Sequence, residues 1–465
     1  MRLFHLRVAL CLGYFLFFRR MVPDVLRKTS CRIAFLSLFS FPLFAQDSSS
    51  VISSALTPVT IDRIIIRGNE VTKDYVILRE MSLKPGDTLS LKAAEYDQNR
   101  VYSLGLFNRV ELSYHVTDHK ATLYVDVNER WYIFPFVVLG VKDRDWKKFY
   151  YGLGILHDNF RGRSERVSAS FALGYDPFFT LRYQNPILSV ESNLFLSSRI
   201  YYSRERNKSL ISQQSGPNFD EDQYGLEGTL GKRFNLFQSL SLTLGYEVLA
   251  VSQNEAGRTL SASGRDAFIS AGLGFVHDTR DLAEYPSSGT YLGISLSKYG
   301  LGESVVDYYR VYLDSRRFVP TLGGVTLAGR LFVNLAGGGT VPNYGHVYFG
   351  YEERIRGHFR EVYEGEDILG SSLELRVPII PVRFLKVEAI PIPQFGVWRL
   401  GLYAALFGDV GKVWYRGASF DLHDLVRGYG VGLNLLLPYS SVFRIEYALN
   451  EARRGEFIFD ISSSF

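Results

Sequence analysis

The sequence predicts a mainly β fold, a 16-stranded antiparallel transmembrane β-barrel preceded by one small α+β unit of βααββ order. Three observations carry this. Over residues 131–465, period-2 alternation of apolar and polar side chains recurs, with hardly any helical periodicity. The alternating runs reach about 10 residues, the length a tilted strand needs to cross the hydrocarbon layer, whereas soluble strands average about 5 to 6. The chain is 46% hydrophobic and 15% aromatic, yet its mean hydropathy is 0.00. That balance is too apolar for a disordered chain and too polar for a bundle of membrane helices. Strands with one apolar and one polar face average to it.

The first 45 residues explain the formal charge of +4. They hold seven basic side chains against one acid, Asp24, and both cysteines, Cys11 and Cys31. The remainder has 45 basic and 47 acidic side chains, so no nucleic-acid partner is implied and no Cys-based site is available there. Arg27, Lys28 and Arg32, the apolar run Ile33 to Phe44, and Ala45 before Gln46-Asp47-Ser48 read as a secretory signal peptide ending near residue 45. Leu43 departs from the small residue usual near such a site. An earlier apolar run, Val8 to Phe18, is too short to span a bilayer at about 1.5 Å per residue, and translation is expected to start at Met21. Residues 46–60 form a Ser-rich linker. Beyond the leader no uncharged apolar stretch reaches about 18 residues, so any membrane crossing must use strands.

Residues 61–130 carry the α+β unit. The β-branched run Ile61 to Ile66 stops at the turn pair Gly68-Asn69. Thr72 is placed to cap a helix with Ile77 and Met81 on one face, broken by Pro85-Gly86-Asp87. Ser90 caps a second helix bearing Ala94, Val101 and Leu104, which Gly105 terminates. Two strands follow, with Val110, Leu112, Tyr114 and Val116 on one face, then Leu123, Val125 and Val127. The ordered set Ile64-x-Ile66-x-Gly68-Asn69-x-x-Thr72, Gly86-Asp87 and Leu104-Gly105-Leu106-Phe107-x-x-Val110 closely resembles a POTRA domain. That is the periplasmic module of the BamA/TamA-type outer-membrane assembly family, here in a single-POTRA member.

Residues 131–465 carry the barrel. Leu240, Leu242, Leu244, Tyr246 and Val248 alternate with Ser241, Thr243, Gly245 and Glu247, and similar runs surround Val167 and Val431. Such alternation sets one strand face in an apolar medium and the other in a polar one. Aromatic pairs at strand ends, Tyr150-Tyr151, Phe178-Phe179 and Tyr201-Tyr202, suit interfacial girdles. Segments begin near 131, 149, 165, 178, 192, 223, 238, 266, 289, 304, 323, 368, 398, 427, 440 and 455, an even count as bacterial barrels require. The last strand points Phe457, Phe459 and Ile461 one way, and the chain ends at Phe465. This resembles the C-terminal signal of bacterial outer-membrane barrels, with Ser463 in place of an apolar residue.

The longest gap, about Gly337 to Asp367, contains Ile355-Arg356-Gly357-His358-Phe359. It resembles the inward-folded loop of the same family, whose signature is an apolar residue, Arg-Gly and an aromatic; His358 occupies the aromatic place and Phe359 follows. Strand parity turns Asp409 and Glu374 inward, as Leu406 and Leu373 point out. Inward charges are ordinary in any barrel, because a charge facing lipid costs up to about 2–4 kcal/mol near the midplane. An Arg-Gly pair on a long loop is not ordinary. A guanidinium can grip a carboxylate with two hydrogen bonds, so Arg356 is expected to pin the loop to Asp409, with Glu374 as a second acceptor. Pro135, in the first barrel strand, lacks an N–H and belongs at a sheet edge. It either weakens the seam between the first and last strands or lies at the strand's entry, outside the ladder.

No metalloprotease, hydrolase or phosphate-loop motif is present. Gly428-x-Gly430-x-Gly432 lies in a strand and reads as its small inner face. Nothing points to a catalytic centre, a cofactor or a metal. The resemblance implies an outer-membrane protein that assists insertion of other barrels, or passage of polypeptide, through a laterally opening seam. Its implied partners are unfolded outer-membrane or secreted clients, the bilayer with lipopolysaccharide as a further candidate, and periplasmic or lipoprotein accessory factors bound by the POTRA domain. The alternatives are a dedicated two-partner-type exporter and a passive pore.

Overall fold

The computed structural model describes residues 59–141, 146–255, 257–302, 304–387 and 396–461. The leader, nearly all of the 46–60 linker, and Phe465 lie outside them. The chain enters the described region on β1 (Thr60–Arg67), followed by helices α1 (Asp74–Leu78) and α2 (Leu91–Ser103) and strands β2 (Phe107–Thr117) and β3 (Lys120–Glu129). The three strands lie in the order β1-β3-β2, with β1 parallel and β2 antiparallel to β3. Gly68 ends β1 at φ 85°, and a Cβ there would lie 2.1 Å from the Val127 carbonyl oxygen, so only glycine fits. Val76, Ile77, Met81 and Val101 bury against Ile61, Leu123 and Val125. Each such side chain contributes about 1.5–3 kcal/mol by leaving water.

Two expectations for this unit need correction. Thr72 does not cap α1, whose N-cap is Lys73 with no side-chain bond. The buried Thr72 hydroxyl donates instead to Glu129 Oε1 at 2.6 Å, a charged acceptor at the end of β3, and receives Asn159 Nδ2 at 2.8 Å. A buried hydroxyl takes the stronger, ionised partner. Met81 lies beyond α1, which ends at Leu78, although it is buried in the same core as Ile77. Ser90 does cap α2, accepting from the Ala93 N–H.

Sixteen strands form the second sheet. They are β4 (Ile133–Val141), β5 (Phe149–Phe160), β6 (Glu165–Gly174), β7 (Phe178–Ser189), β8 (Leu194–Arg206), β9 (Asp220–Arg233), β10 (Gln238–Val251), β11 (Arg265–Asp278), β12 (Gly289–Tyr299), β13 (Tyr308–Pro320) and β14 (Thr326–Gly338). A small hairpin, β15 (Val347–Phe349) and β16 (Tyr363–Gly365), interrupts before β17 (Asp367–Lys386), β18 (Val397–Trp414), β19 (Val426–Leu437), β20 (Ser441–Asn450) and β21 (Gly455–Ile461). A short helix, α3 (Leu210–Ser215), lies between β8 and β9. Every strand pairs antiparallel with the next, β14 with β17 across the hairpin, and β4 and β21 are the edges. Phe134 of β4 meets Tyr439, in the turn before β20, edge-on at 5.9 Å, so the sheet curls until its ends approach. On β10 the outward Leu240, Leu242, Leu244 and Tyr246 are exposed, as an apolar surround requires. Among the described residues no helix is long and apolar enough to cross a membrane.

Candidate functional site

The site is built where residues 339–366 fold back from the rim into the sheet's interior. Ile355 anchors the descent by packing against Phe332, Phe349 and Ile368. Arg356 then reaches three strands. Its Nε and Nη2 donate to Asp409 Oδ2 and Oδ1 on β18, both at 2.7 Å, and its backbone N–H donates to Oδ2 at 3.1 Å. Nη1 donates at 3.0 Å to Glu374 Oε2 on β17 and at 3.0 Å to Glu446 Oε1 on β20. The guanidinium lies 3.7 Å over the Phe407 ring. Beneath it, a Cβ on Gly428 would sit 1.6 Å from the Arg356 carbonyl oxygen, so the inner face of β19 must be glycine for the loop to lie down.

The remainder of the tip is held separately. Gly357 adopts φ 99°, and its N–H and that of Phe359 both donate to Glu456 Oε1 on β21, at 2.9 and 2.8 Å. His358 lies between Glu361 (2.7 Å) and Glu451 (2.8 Å). Burial opposes its charge, but the hydrogen bonds and negative charge of these two carboxylates outweigh burial and lift its pKa above the ordinary histidine value. Phe359 packs against the cluster of Phe407, Ala448 and Ile458.

Two further arginines share the acids of the interior. Arg376 Nε donates to Glu374 Oε1 at 2.8 Å, and Arg444 approaches Glu446 at 3.6 Å while donating to Asp460 at 2.7 Å. Three guanidiniums thus face the four carboxylates of Glu374, Asp409, Glu446 and Asp460, and this pairing offsets the cost of burying charge there.

At the opposite end of the sheet, the α+β unit packs on the short turns. Glu80 accepts from Arg100 at 2.6 Å and pairs with Arg233 at the end of β9. Burial opposes ionisation of Glu80, but Arg233 and Arg100 together outweigh it and hold its pKa below the ordinary carboxylate value. Arg79 donates to the Pro186 carbonyl at 2.5 Å, and Arg130 to Asp158 at 2.6 Å. The motif residues of this unit shape its turns. Asn69 donates to the Thr72 carbonyl at 2.9 Å, the Gly86 N–H donates to the Ile61 carbonyl at 2.8 Å, and Asp87 accepts from the Lys84 N–H at 2.7 Å. Gly105 takes a positive φ after α2, and Phe107 is buried in the core.

Pro135 is the third residue of β4 and stands opposite Ile155 of β5, so it lies within a ladder and on an edge strand. Phe457 and Phe459 of β21 are 67% and 63% exposed, and Ile461 closes that strand. Among the described residues no ladder joins β21 to β4.

Sequence reading missed Glu446, Glu456 and the role of Gly428. Glu446 could have been found by parity, since Ile445 and Tyr447 point out on the same strand. It also passed over the turn from Thr279 to Ser288, whose Tyr285 is buried beside Arg376 in the interior.

Comparison with known proteins gives the context. A family model described as an Omp85 superfamily domain matches residues 159–465, and the POTRA model, described as a surface antigen variable number repeat, matches residues 59–130. The outer membrane protein assembly factor BamA of Nitratidesulfovibrio vulgaris is 24% identical over 416 residues, 86% of this chain and 50% of that protein. The chain thus spans about half the length of this relative. The crystal structure of BamA from Haemophilus ducreyi lacking POTRA domains 1–3 is similar with TM-score 0.52 at 20% identity, covering 87% of this chain and 83% of that one. CdiB from Escherichia coli is similar with TM-score 0.54 at 11% identity, covering 87% and 74%. At these identities the structural likeness speaks to the fold alone.

Proposed function

Because the chain belongs to the Omp85 superfamily, we propose that it assists the insertion of other β-barrels into the outer membrane, or the passage of polypeptide across it. It is an outer-membrane protein with a periplasmic POTRA domain. Its domains are read as a leader over residues 1–45, a linker over 46–60, the POTRA domain over 61–130 and the barrel over 131–465.

The observation that carries the reading is the Arg356 loop tip, held on β17, β18 and β20 and tied to the last strand by Glu456, where among the described residues β4 and β21 are the two edges of the sheet. An open edge offers a row of N–H and C=O groups that can template an incoming strand. Pro135 on one edge, and Phe457, Phe459, Ile461 and Phe465 on and beyond the other, define this seam. Arg356 braces it from within through Asp409, Glu374 and Glu446, while Glu456 ties the loop tip to β21 itself. The POTRA domain receives unfolded clients or accessory factors, with the bilayer and lipopolysaccharide as the surrounding partners. The chain's own chemistry here is hydrogen bonding and desolvation, with no bond made or broken.

Depleting the protein and quantifying the outer-membrane proteome tests this. Broad loss of barrels is expected. Loss of a single secreted or outer-membrane protein would make it a dedicated exporter, and an unchanged proteome with a large steady conductance in planar bilayers would make it a passive pore.

A further inference from the structure

The periplasmic turn between β11 and β12 touches both functional parts of the molecule. On one side its Leu282 is buried in the same apolar cluster as Val101 and Val110 of the POTRA domain. The Thr279 carbonyl accepts from the Tyr96 hydroxyl at 3.3 Å, and the Ala283 N–H donates to Ser103 Oγ at 3.2 Å, both on α2. On its other side, Tyr285 enters the lumen, where its hydroxyl accepts from Asn434 Nδ2 at 3.0 Å and its ring lies 4.3 Å from the Arg376 guanidinium. The Pro286 carbonyl accepts from Arg376 Nη1 at 3.2 Å, and Glu284 pairs with Arg399.

The turn is also stiff. The Asp281 carboxylate receives the backbone N–H groups of Leu282 (2.9 Å), Ser287 (2.9 Å) and Ser288 (3.1 Å) and the Ser287 hydroxyl. Gly289 closes it at φ 104°, where a Cβ would lie 2.3 Å from the Thr279 carbonyl oxygen. A stiff element moves as a unit, so displacing one of its faces displaces the other. From Arg376 the contacts continue without a gap to Glu374 at 2.8 Å and on to Arg356 at 3.0 Å.

We propose that the 279–288 turn is a positioning wedge that couples the seating of the POTRA domain beneath the barrel to the seating of the Arg356 loop tip within it. Leu282 reads the POTRA side, and Tyr285 with the Pro286 carbonyl holds Arg376, which orients Glu374 for Arg356. A POTRA domain displaced by a client or an accessory protein would thereby loosen the brace beside the seam. Packed contacts establish continuity, whereas coupling is an energy that has to be measured. The inference goes beyond the assembly reading and concerns the resting protein without a client, so either can fail alone.

The test is hydrogen–deuterium exchange on the full chain in lipid vesicles. Leu282→Ala is expected to speed exchange both in α2 and at residues 355–359, the latter by about fivefold or more, the lower end of typical coupling. Reciprocity requires Arg356→Ala to speed exchange in α2. In a Tyr285→Ala background the effect of Leu282→Ala on residues 355–359 should vanish, because the lumen face of the wedge is already cut. Ser103→Ala, which removes the hydrogen bond from Ala283 together with the local one from Ser103 Oγ to the Asn99 carbonyl, serves as a milder POTRA-side change where Leu282→Ala does not assemble. Faster exchange in α2 with residues 355–359 at the wild-type rate overturns the proposal. So does a loop effect that persists undiminished in the Tyr285→Ala background.

Discussion

In the lumen one arginine is shared by three carboxylates, whereas at the junction of POTRA domain and barrel one carboxylate is shared by two arginines. The two clusters differ in what remains when the shared residue is lost. Around Arg356, Glu374, Asp409 and Glu446 are at most 2% exposed, so the charge that Arg376 and Arg444 do not meet has no water to fall back on. Around Glu80, the side chains are 12–17% exposed, and both arginines have carbonyl acceptors in reserve, Arg100 and Arg233 each reaching that of Leu236 at 3.2 and 2.8 Å. Breaking a buried ion cluster strands charge, whereas breaking a partly wet one returns its donors to carbonyls and solvent. The loop anchor is therefore the committed contact of the molecule, and the POTRA junction the adaptable one.

The largest expected effect comes from Arg356→Ala, which removes the cation that Glu374, Asp409 and Glu446 share and leaves Glu374 to Arg376 and Glu446 to Arg444. A loss of about 3–5 kcal/mol in unfolding free energy is expected, read as a lower urea midpoint of the reconstituted protein, together with protease sensitivity in residues 346–362. If the midpoint and the cleavage pattern are those of wild type, the anchor is not committed and the contrast collapses. Next is Gly428→Ala, which leaves every charge in place but forces the Arg356 backbone away from β19. About 1–3 kcal/mol is expected, with faster loop exchange. An unchanged exchange rate would show that the loop does not need that floor.

Glu80→Gln should cost less than Arg356→Ala, about 1–3 kcal/mol, and should raise exchange in α2. Because the folded pKa of Glu80 is depressed, its contribution is present above the ordinary carboxylate value and is lost as pH falls through the folded value. The difference between wild type and Glu80→Gln should thus be flat from neutral pH down to mild acid and close only in stronger acid. A gap that closes at neutral pH would contradict the assignment. The smallest effect belongs to His358, whose partners Glu361 and Glu451 are half exposed, and His358→Gln should cost about 0.5–1 kcal/mol. With its folded pKa raised, that stabilisation is fully present below about 6.5 and fades as pH rises through the folded value. Urea midpoints for both proteins at pH 6 and pH 9 should converge at the higher pH.

How far the residues announce this arrangement varies with the range of the contact. The two-residue period of a strand makes each side chain's face a local property, so the lumen orientation of Glu374 and Asp409 follows from the leucines beside them. The sixteen strands are legible for the same reason, and their starts lie within four residues of the structural ones. Thr72 reads as a cap because a Thr before an amphipathic run is locally one, while its actual partners Glu129 and Asn159 stand 57 and 87 residues away. The Tyr285-Pro286-Ser287-Ser288-Gly289 segment shows only a turn in sequence.

The sequence by itself determines the period of the strands, the sign of each face and the POTRA turn residues, because all of these depend on neighbours within a few positions. Only the tertiary structure decides which of the inward acids Arg356 engages, that Glu456 of the last strand holds the tip, and that one periplasmic turn touches both POTRA domain and lumen. Those choices are made when the sheet curls and brings strands from distant parts of the chain around one interior, where the low dielectric and the exclusion of water make pairing obligatory.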